Sequence, residues 1–274
     1  MTGEIHLHLV SDATGETIQQ VARACLSQFG EAHPIQHFWT LVRTRGHLEK
    51  VIAGIEKNRG LVLFTFVDPD LRGQMEEACR RLQVPQISVL DPVMAALANL
   101  LGQSAQGRPG MQHEMDADYF ARIDAVNFTL AHDDGQNLET ALKADIVLVG
   151  VSRTSKTPTS IYLANRGYKV ANVPIVPEIA LPDALFTATL PLIVGLTNDP
   201  ERLVQVRRNR LLALKEDKDT GYVDFDRVRD EVVFAKRLFN RQRWPVIDTT
   251  RRSIEETAAA VIQLLERRRE NGDG

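Results

Sequence analysis

Eight consecutive residues near the middle of the chain carry phosphate chemistry in their types and spacing: Gly150, Val151, Ser152, Arg153, Thr154, Ser155, Lys156 and Thr157. They follow the phosphate-loop pattern G-x-x-x-x-G-K-[ST], except that Ser155 stands where the second glycine belongs. Nucleotide phosphates are held by converging backbone N–H groups, a helix N-terminus behind them, a lysine, and a hydroxyl that meets Mg²⁺. The segment supplies all but the glycine, and Arg153 adds a cation inside the loop. In this reading Lys156 bridges phosphate oxygens and Thr157 is the metal-side hydroxyl. A left-handed backbone at Ser155 would cost about 1–2 kcal/mol, unless the loop takes another path. An ordinary strand–turn–helix also uses Gly and Ser. The context favours phosphate, because the apolar run Ile146–Val149 precedes the loop and a helix follows, with Pro158 in its first turn and Gly167 at its end.

Three further groups could do chemistry. His132-Asp133-Asp134-Gly135 is either a polar turn or a pair of carboxylates able to accept a hydroxyl proton or organise Mg²⁺. Arg202, Arg207, Arg208 and Arg210 crowd one expected helix, either as a solvated face or as an arginine lid over phosphates. Ser11 to Thr17 follow the first strand and open the first helix, where an ordinary cap and an anion site use the same residue types; taken alone, they read as a cap.

The surrounding pattern alternates strands and helices. Ile5–Val10, Ile35–Val42, Leu61–Val67 and Gln86–Leu90 read as strands. Helices are expected over Gly15–Phe29, around Leu48–Ile55, after Asp70 as a cap, and from near Pro92. The stretch from Gly102 to Met115 is polar and rich in turn formers, a linker or mobile loop, and a helix is expected from about Asp116 to Leu130. Beyond the phosphate loop, Tyr168–Val176, Pro191–Leu196 and Val246–Asp248 read as strands, and Glu201–Leu214, Val228–Phe239 and the segment capped by Ser253 as helices. The expected fold class is α/β in two domains: an open parallel sheet over 1–101, a linker and connecting helix over 102–137, and a phosphate-loop-kinase-like domain over 138–274.

Composition sets the bounds. At 274 residues, 43% hydrophobic and 25% charged, the chain has the make-up of a globular protein, and its formal net charge of -3 argues against a general nucleic-acid binder. No apolar run approaches the roughly 20 residues that span a bilayer. Met1–His6 lack the basic start and apolar core of a signal peptide, so the expected compartment is the cytoplasm. Cys25 and Cys79 fall on apolar stripes and read as small buried hydrophobes.

Taken together, Gly150–Ser160, Ser11–Thr17, His132–Gly135 and Gly195-Leu-Thr-Asn-Asp-Pro-Glu-Arg-Leu203 resemble the bacterial and plant pyruvate, phosphate dikinase regulatory proteins, nearly from end to end. Sister proteins acting on phosphoenolpyruvate synthase carry Cys-Gly before the lysine. The Thr154-Ser155 pair here is similar to the dikinase branch. The resemblance implies a bifunctional serine/threonine kinase and phosphorylase. One activity phosphorylates a target threonine with ADP, releases AMP and inactivates the target. The other removes that phosphate with inorganic phosphate and releases pyrophosphate. The expected ligands are ADP, inorganic phosphate and Mg²⁺, and the expected partner is the dikinase. Lys156 and Arg153 would stabilise the transferring phosphoryl group, and Asp133 or Asp134 would accept the proton. The N-terminal sheet is assigned to target docking and homodimer contacts. The loop by itself also permits an ATP-dependent small-molecule kinase, or a nucleotide sensor without turnover.

Overall fold

The computed structural model describes residues 4–30, 33–111, 117–214 and 221–272, in two compact units, 1–114 and 115–274. In the first unit four strands, β1 (His6–Ser11), β2 (Ile35–Trp39), β3 (Leu61–Thr65) and β4 (Gln86–Ser88), form a parallel sheet in the order β2-β1-β3-β4. The helices are α1 (Glu16–Leu26), α2 (Arg45–Lys57), α3 (Pro69–Leu82) and α4 (Asp91–Leu101). They cover both faces: Leu48, Val51, Ile55, Leu71 and Met75 of α2 and α3 pack with Val10, Phe64 and Phe66, while Ile18 and Ala22 of α1 pack with Leu7, Leu9 and Leu63. Burial on both sides is why Leu61–Thr65 is apolar almost throughout rather than alternating.

The second unit repeats this order. Strands β5 (Ile146–Gly150), β6 (Val170–Pro174), β7 (Leu192–Thr197) and β8 (Val246–Asp248) are parallel in the order β6-β5-β7-β8. Helices α5 (Ala117–Ala131), α6 (Leu138–Ala141), α7 (Lys156–Ala164), α8 (Asp183–Thr187), α9 (Pro200–Leu214), α10 (Phe225–Gln242) and α11 (Ile254–Glu270) surround the sheet. Alternate residues of β5 serve opposite cores: Val147 and Val149 join Val204, Val228, Val232 and Phe239, while Ile146 and Leu148 join Leu163, Ala258 and Val261. Helix α5 packs against α7 and β6. The expected α5 start at Asp116 and the linker residues 112–115 lie outside the described residues.

Two local expectations need correction. Asp68, not Asp70, caps α3: its carboxylate accepts from the N–H groups of Asp70 (2.8 Å) and Leu71 (3.3 Å). Pro69 sets the first helical φ and needs no N–H acceptor, so the helix begins two residues earlier than a cap at Asp70 implies. Cys25 is exposed although it falls on the face of Ile18 and Ala22: it lies in the last turn of α1, where Leu26 is only partly buried against the core, and the helix ends at Leu26 instead of reaching Phe29. Cys79 is buried as expected, and burial pushes its thiol up to about 11. The short helices α6 and α8 give no periodic signal in so few residues.

Candidate functional site

The loop from Val151 to Ser155 sits at the carboxyl end of β5, beside the point where the chain order of the sheet reverses between β5 and β7. Open α/β sheets bind ligands in that crevice. Gly150 has no room for a side chain: a Cβ there would lie 2.5 Å from the Leu196 carbonyl oxygen and 2.8 Å from Thr154 Oγ1. The Thr154 hydroxyl, fully buried, donates to the Val151 carbonyl at 3.0 Å and ties the loop across its own base. Two non-glycine residues adopt left-handed backbone, Arg153 at φ 70° and Ser155 at φ 65°. Ser155 is therefore held in the conformation that the usual glycine supplies freely, and α7 starts directly behind it. Ser155→Gly should stabilise the fold by up to about 1 kcal/mol, and Ser155→Val should destabilise it by about 1–2 kcal/mol, as read by urea denaturation.

Lys156 is 5% exposed, and its Nζ donates to the Val151 carbonyl at 3.0 Å. Burial pushes its pKa down to about 8; Asp134 and Asp133 oppose the shift, and Arg153 and Arg207 add to it. A lysine in this state gains strongly from an arriving phosphate, which would replace the carbonyl as its acceptor.

The turn 132–135 is pinned to β6 through backbone bonds from Gly135 N to Asn172 O (2.8 Å) and from Asn172 N to His132 O (3.0 Å). His132 serves this turn: its ring bonds the Phe128 carbonyl and the Thr140 hydroxyl, both at 2.7 Å, and stacks on Phe128. So fixed, the turn brings Asp133 to the loop. The Thr157 hydroxyl donates to Asp133 Oδ1 at 3.0 Å, and the Asn172 amide donates to the same carboxylate oxygen and to Thr157 Oγ1 (2.9 Å). Among the described residues Asn172 Oδ1 is buried with no partner, which is costly unless a further group meets it. A hydroxyl, a carboxylate and an orphaned amide oxygen are hard donors of the kind Mg²⁺ takes. Asp134, in contrast, is exposed.

Behind the loop lies a brace that the arginine cluster conceals in the sequence. Arg207 of α9 is 1% exposed, forks onto Glu231 of α10 (2.6 and 3.3 Å), and donates to the carbonyls of Ser152 (3.3 Å) and Tyr222 (3.1 Å). The Tyr222 hydroxyl meets Ser152 Oγ at 3.1 Å and accepts from Arg153 Nε at 3.3 Å. Arg207 therefore fits neither the solvated face nor the lid over phosphates. Arg207 lies beneath the loop and shapes it, while Arg202, Arg208 and Arg210 are exposed on α9. Asn172 and Tyr222 are site residues that sequence reasoning missed.

Comparison with known proteins agrees with this geometry. Residues 7–262 match the kinase/pyrophosphorylase family. A relative from Erythrobacter litoralis is 59% identical over 260 residues, covering 95% of this chain and 94% of its own. One from Paramagnetospirillum magneticum is 60% identical over 262 residues, covering 96% and 84%. One from Novosphingobium aromaticivorans is 55% identical over 273 residues, covering 98% of each. All three carry the provisional name of pyruvate, phosphate dikinase regulatory protein. With a phosphate-type loop on a parallel sheet and a family match over most of its length, the chain belongs to the kinase/pyrophosphorylase family.

Proposed function

We propose that this protein regulates pyruvate, phosphate dikinase in the cytoplasm by phosphorylating one of its threonines with ADP, and by removing that phosphate with orthophosphate. The single observation that carries the site assignment is the convergence of buried Lys156, Thr157, Asp133 and Asn172 on one loop at the end of β5. The names of close relatives support the target.

In the kinase direction the threonine oxygen attacks the β-phosphorus of ADP. The bond from that phosphorus to the bridging oxygen breaks, and AMP leaves. The loop N–H groups and the first turn of α7 hold the phosphates. Lys156 and Arg153 stabilise charge as it builds on the transferring group. Thr157, Asp133 and Asn172 would hold Mg²⁺, which when bound offsets negative charge on phosphate oxygens. Since Asp133 is engaged there, Asp134 is assigned as the proton acceptor. In the other direction an orthophosphate oxygen passes its proton to Asp134 and attacks the phosphothreonine phosphorus; the bond from phosphorus to the threonine oxygen breaks, that oxygen takes the proton from Asp134, and pyrophosphate is released. One loop built for two phosphates accommodates both reactions.

A groove of about 720 Å³ adjoins the loop, lined by Ser152, Ile175, Val176, Tyr222 and Phe234 among others. The N-terminal unit is proposed for docking and homodimer contacts, for which the exposed Val93, Leu97, Leu100 and Leu101 of α4 offer an apolar face. Among the described residues no helix is long and apolar enough to cross a membrane.

Incubating the protein with labelled ADP or ATP and, separately, dikinase, phosphoenolpyruvate synthase or a metabolite panel tests the target. Label on dikinase threonine is expected. Label on the synthase, on a metabolite, or none despite saturable ADP binding would each refute the proposal.

The depressed pKa of Lys156 gives a pH dependence. The free enzyme needs the ammonium form, so kcat/KM for ADP should fall as pH rises through about 8. Bound phosphates favour the charged lysine, so the limb in kcat should lie at higher pH. Lys156→Arg should remove the limb, since a guanidinium stays charged. An unchanged limb in that variant would assign it to another group.

A further inference from the structure

Arg153 carries charge stabilisation in the proposed mechanism, yet its side chain is exposed, and an exposed arginine samples many rotamers. Lys156, a like charge, is close enough to repel it. A guanidinium that meets a phosphoryl group in the transition state works best when it is held there beforehand, because no reorientation is then left for the reaction itself. The structure supplies one tether. Among the described residues the Arg153 guanidinium makes a single hydrogen bond, in which Nε donates to the Tyr222 hydroxyl at 3.3 Å. That bond leaves both terminal nitrogens for phosphate oxygens. With Arg153 as donor to the phenol, the phenol's own proton goes to Ser152 Oγ, 3.1 Å away. The hydroxyl thus bridges adjacent loop residues.

The tyrosine is itself fixed. Buried Arg207 donates to the carbonyls of both Tyr222 (3.1 Å) and Ser152 (3.3 Å), and Glu231 holds Arg207 by a fork. The Arg207 guanidinium carbon also lies 4.7 Å from the centroid of the Tyr222 ring, a cation–π distance. One cation therefore ties both ends of the bridge, the loop and the tyrosine, and sets the span over which the phenol reaches Arg153. From the other side, Asp224 caps α10 by accepting from Arg227 N at 2.9 Å, which anchors the segment that carries Tyr222. The backbone agrees: Arg153 stands at φ 70°, a conformation that a non-glycine residue keeps where its surroundings fix it.

We propose that Tyr222 is a positioning residue for both reactions: its hydroxyl holds the Arg153 guanidinium at the loop, so that the terminal nitrogens meet the transferring phosphoryl group. Tyr222 acts through Arg153 and does not contact the phosphates itself. This role rests on the transfer chemistry proposed above.

A double-mutant cycle on label transfer from ADP to dikinase, run with the full chain under single turnover, tests it. Tyr222→Phe keeps the ring beside Arg207 and the backbone carbonyl, and removes only the hydroxyl. It should lower the transfer rate constant by at least about tenfold, the worth of one hydrogen bond to a charged group, with ADP affinity and thermal unfolding nearly unchanged. Phosphorolysis should fall by the same factor. In an Arg153→Ala background, Tyr222→Phe should change the transfer rate by less than about twofold, because the group it positions is gone. An equal loss in both backgrounds would overturn the positioning role and leave a structural one. No loss in the single variant would overturn it too, as would a loss of ADP affinity in place of rate. A parent enzyme that moves no label from ADP to dikinase would instead refute the proposed function, and the role of Tyr222 with it. The other contrary results arise only in an active parent and concern Tyr222 alone.

Discussion

Lys156→Ala is expected to abolish phosphorylation and phosphate-dependent dephosphorylation together, each by at least about 1,000-fold, the upper end of the loss when one preorganised donor is removed. The paired loss follows from the geometry. Lys156 is buried at the base of one loop, within the field of Asp133, Asp134 and Arg153, and in the proposed mechanism both reactions would pass a phosphoryl group across that point. The fold should survive, because the alanine removes a cation whose burial already opposes its charge. Equal thermal unfolding with lost activity therefore identifies a chemical role. Phosphorolysis at a normal rate in this variant would show that the two activities use separate sites.

The second large effect is expected at Asp134. Asp134→Asn should lower kcat in the kinase direction by about 100- to 10,000-fold, the range for loss of a positioned general base, with ADP binding nearly unchanged. Asp133→Asn should act differently. Its carboxylate ties Thr157 to Asn172, so that variant should weaken Mg²⁺-dependent nucleotide binding as well as turnover. Measuring ADP affinity beside kcat separates the two carboxylates. An Asp134→Asn enzyme within threefold of the parent would remove it as the proton acceptor.

Much of this was legible in the residues. Runs such as Ile146–Val149 are apolar at every position because both faces of a parallel strand are covered, and that pattern is read without coordinates. The loop was legible because its spacing is short and local. Ser155 shows the limit: its type raised the question of left-handed backbone, and only the φ of 65° answers it. Arg207 was misread because a run of arginines looks solvated, yet Leu203, Val204 and Arg207 share one buried face at helical spacing, and that was a usable signal. Asn172 gave a similar sign, a lone amide inside the apolar run Val170–Val173. Tyr222 gave none, since its role depends on the segment just before α10 meeting the loop across 70 residues of sequence. Nor could spacing separate Asp133 from Asp134. The pinning of their turn to Asn172 does that, aiming the first at Thr157 and leaving the second exposed.

The most direct test of the proposed chemistry is a two-step label transfer with dikinase, using ADP labelled at the β-phosphorus. In the first step the label should appear on a dikinase threonine as AMP is released in equal amount. In the second, after removal of nucleotide and addition of unlabelled orthophosphate, the label should leave as pyrophosphate. Release of the label as free orthophosphate, or a requirement for ATP in the first step, would contradict it.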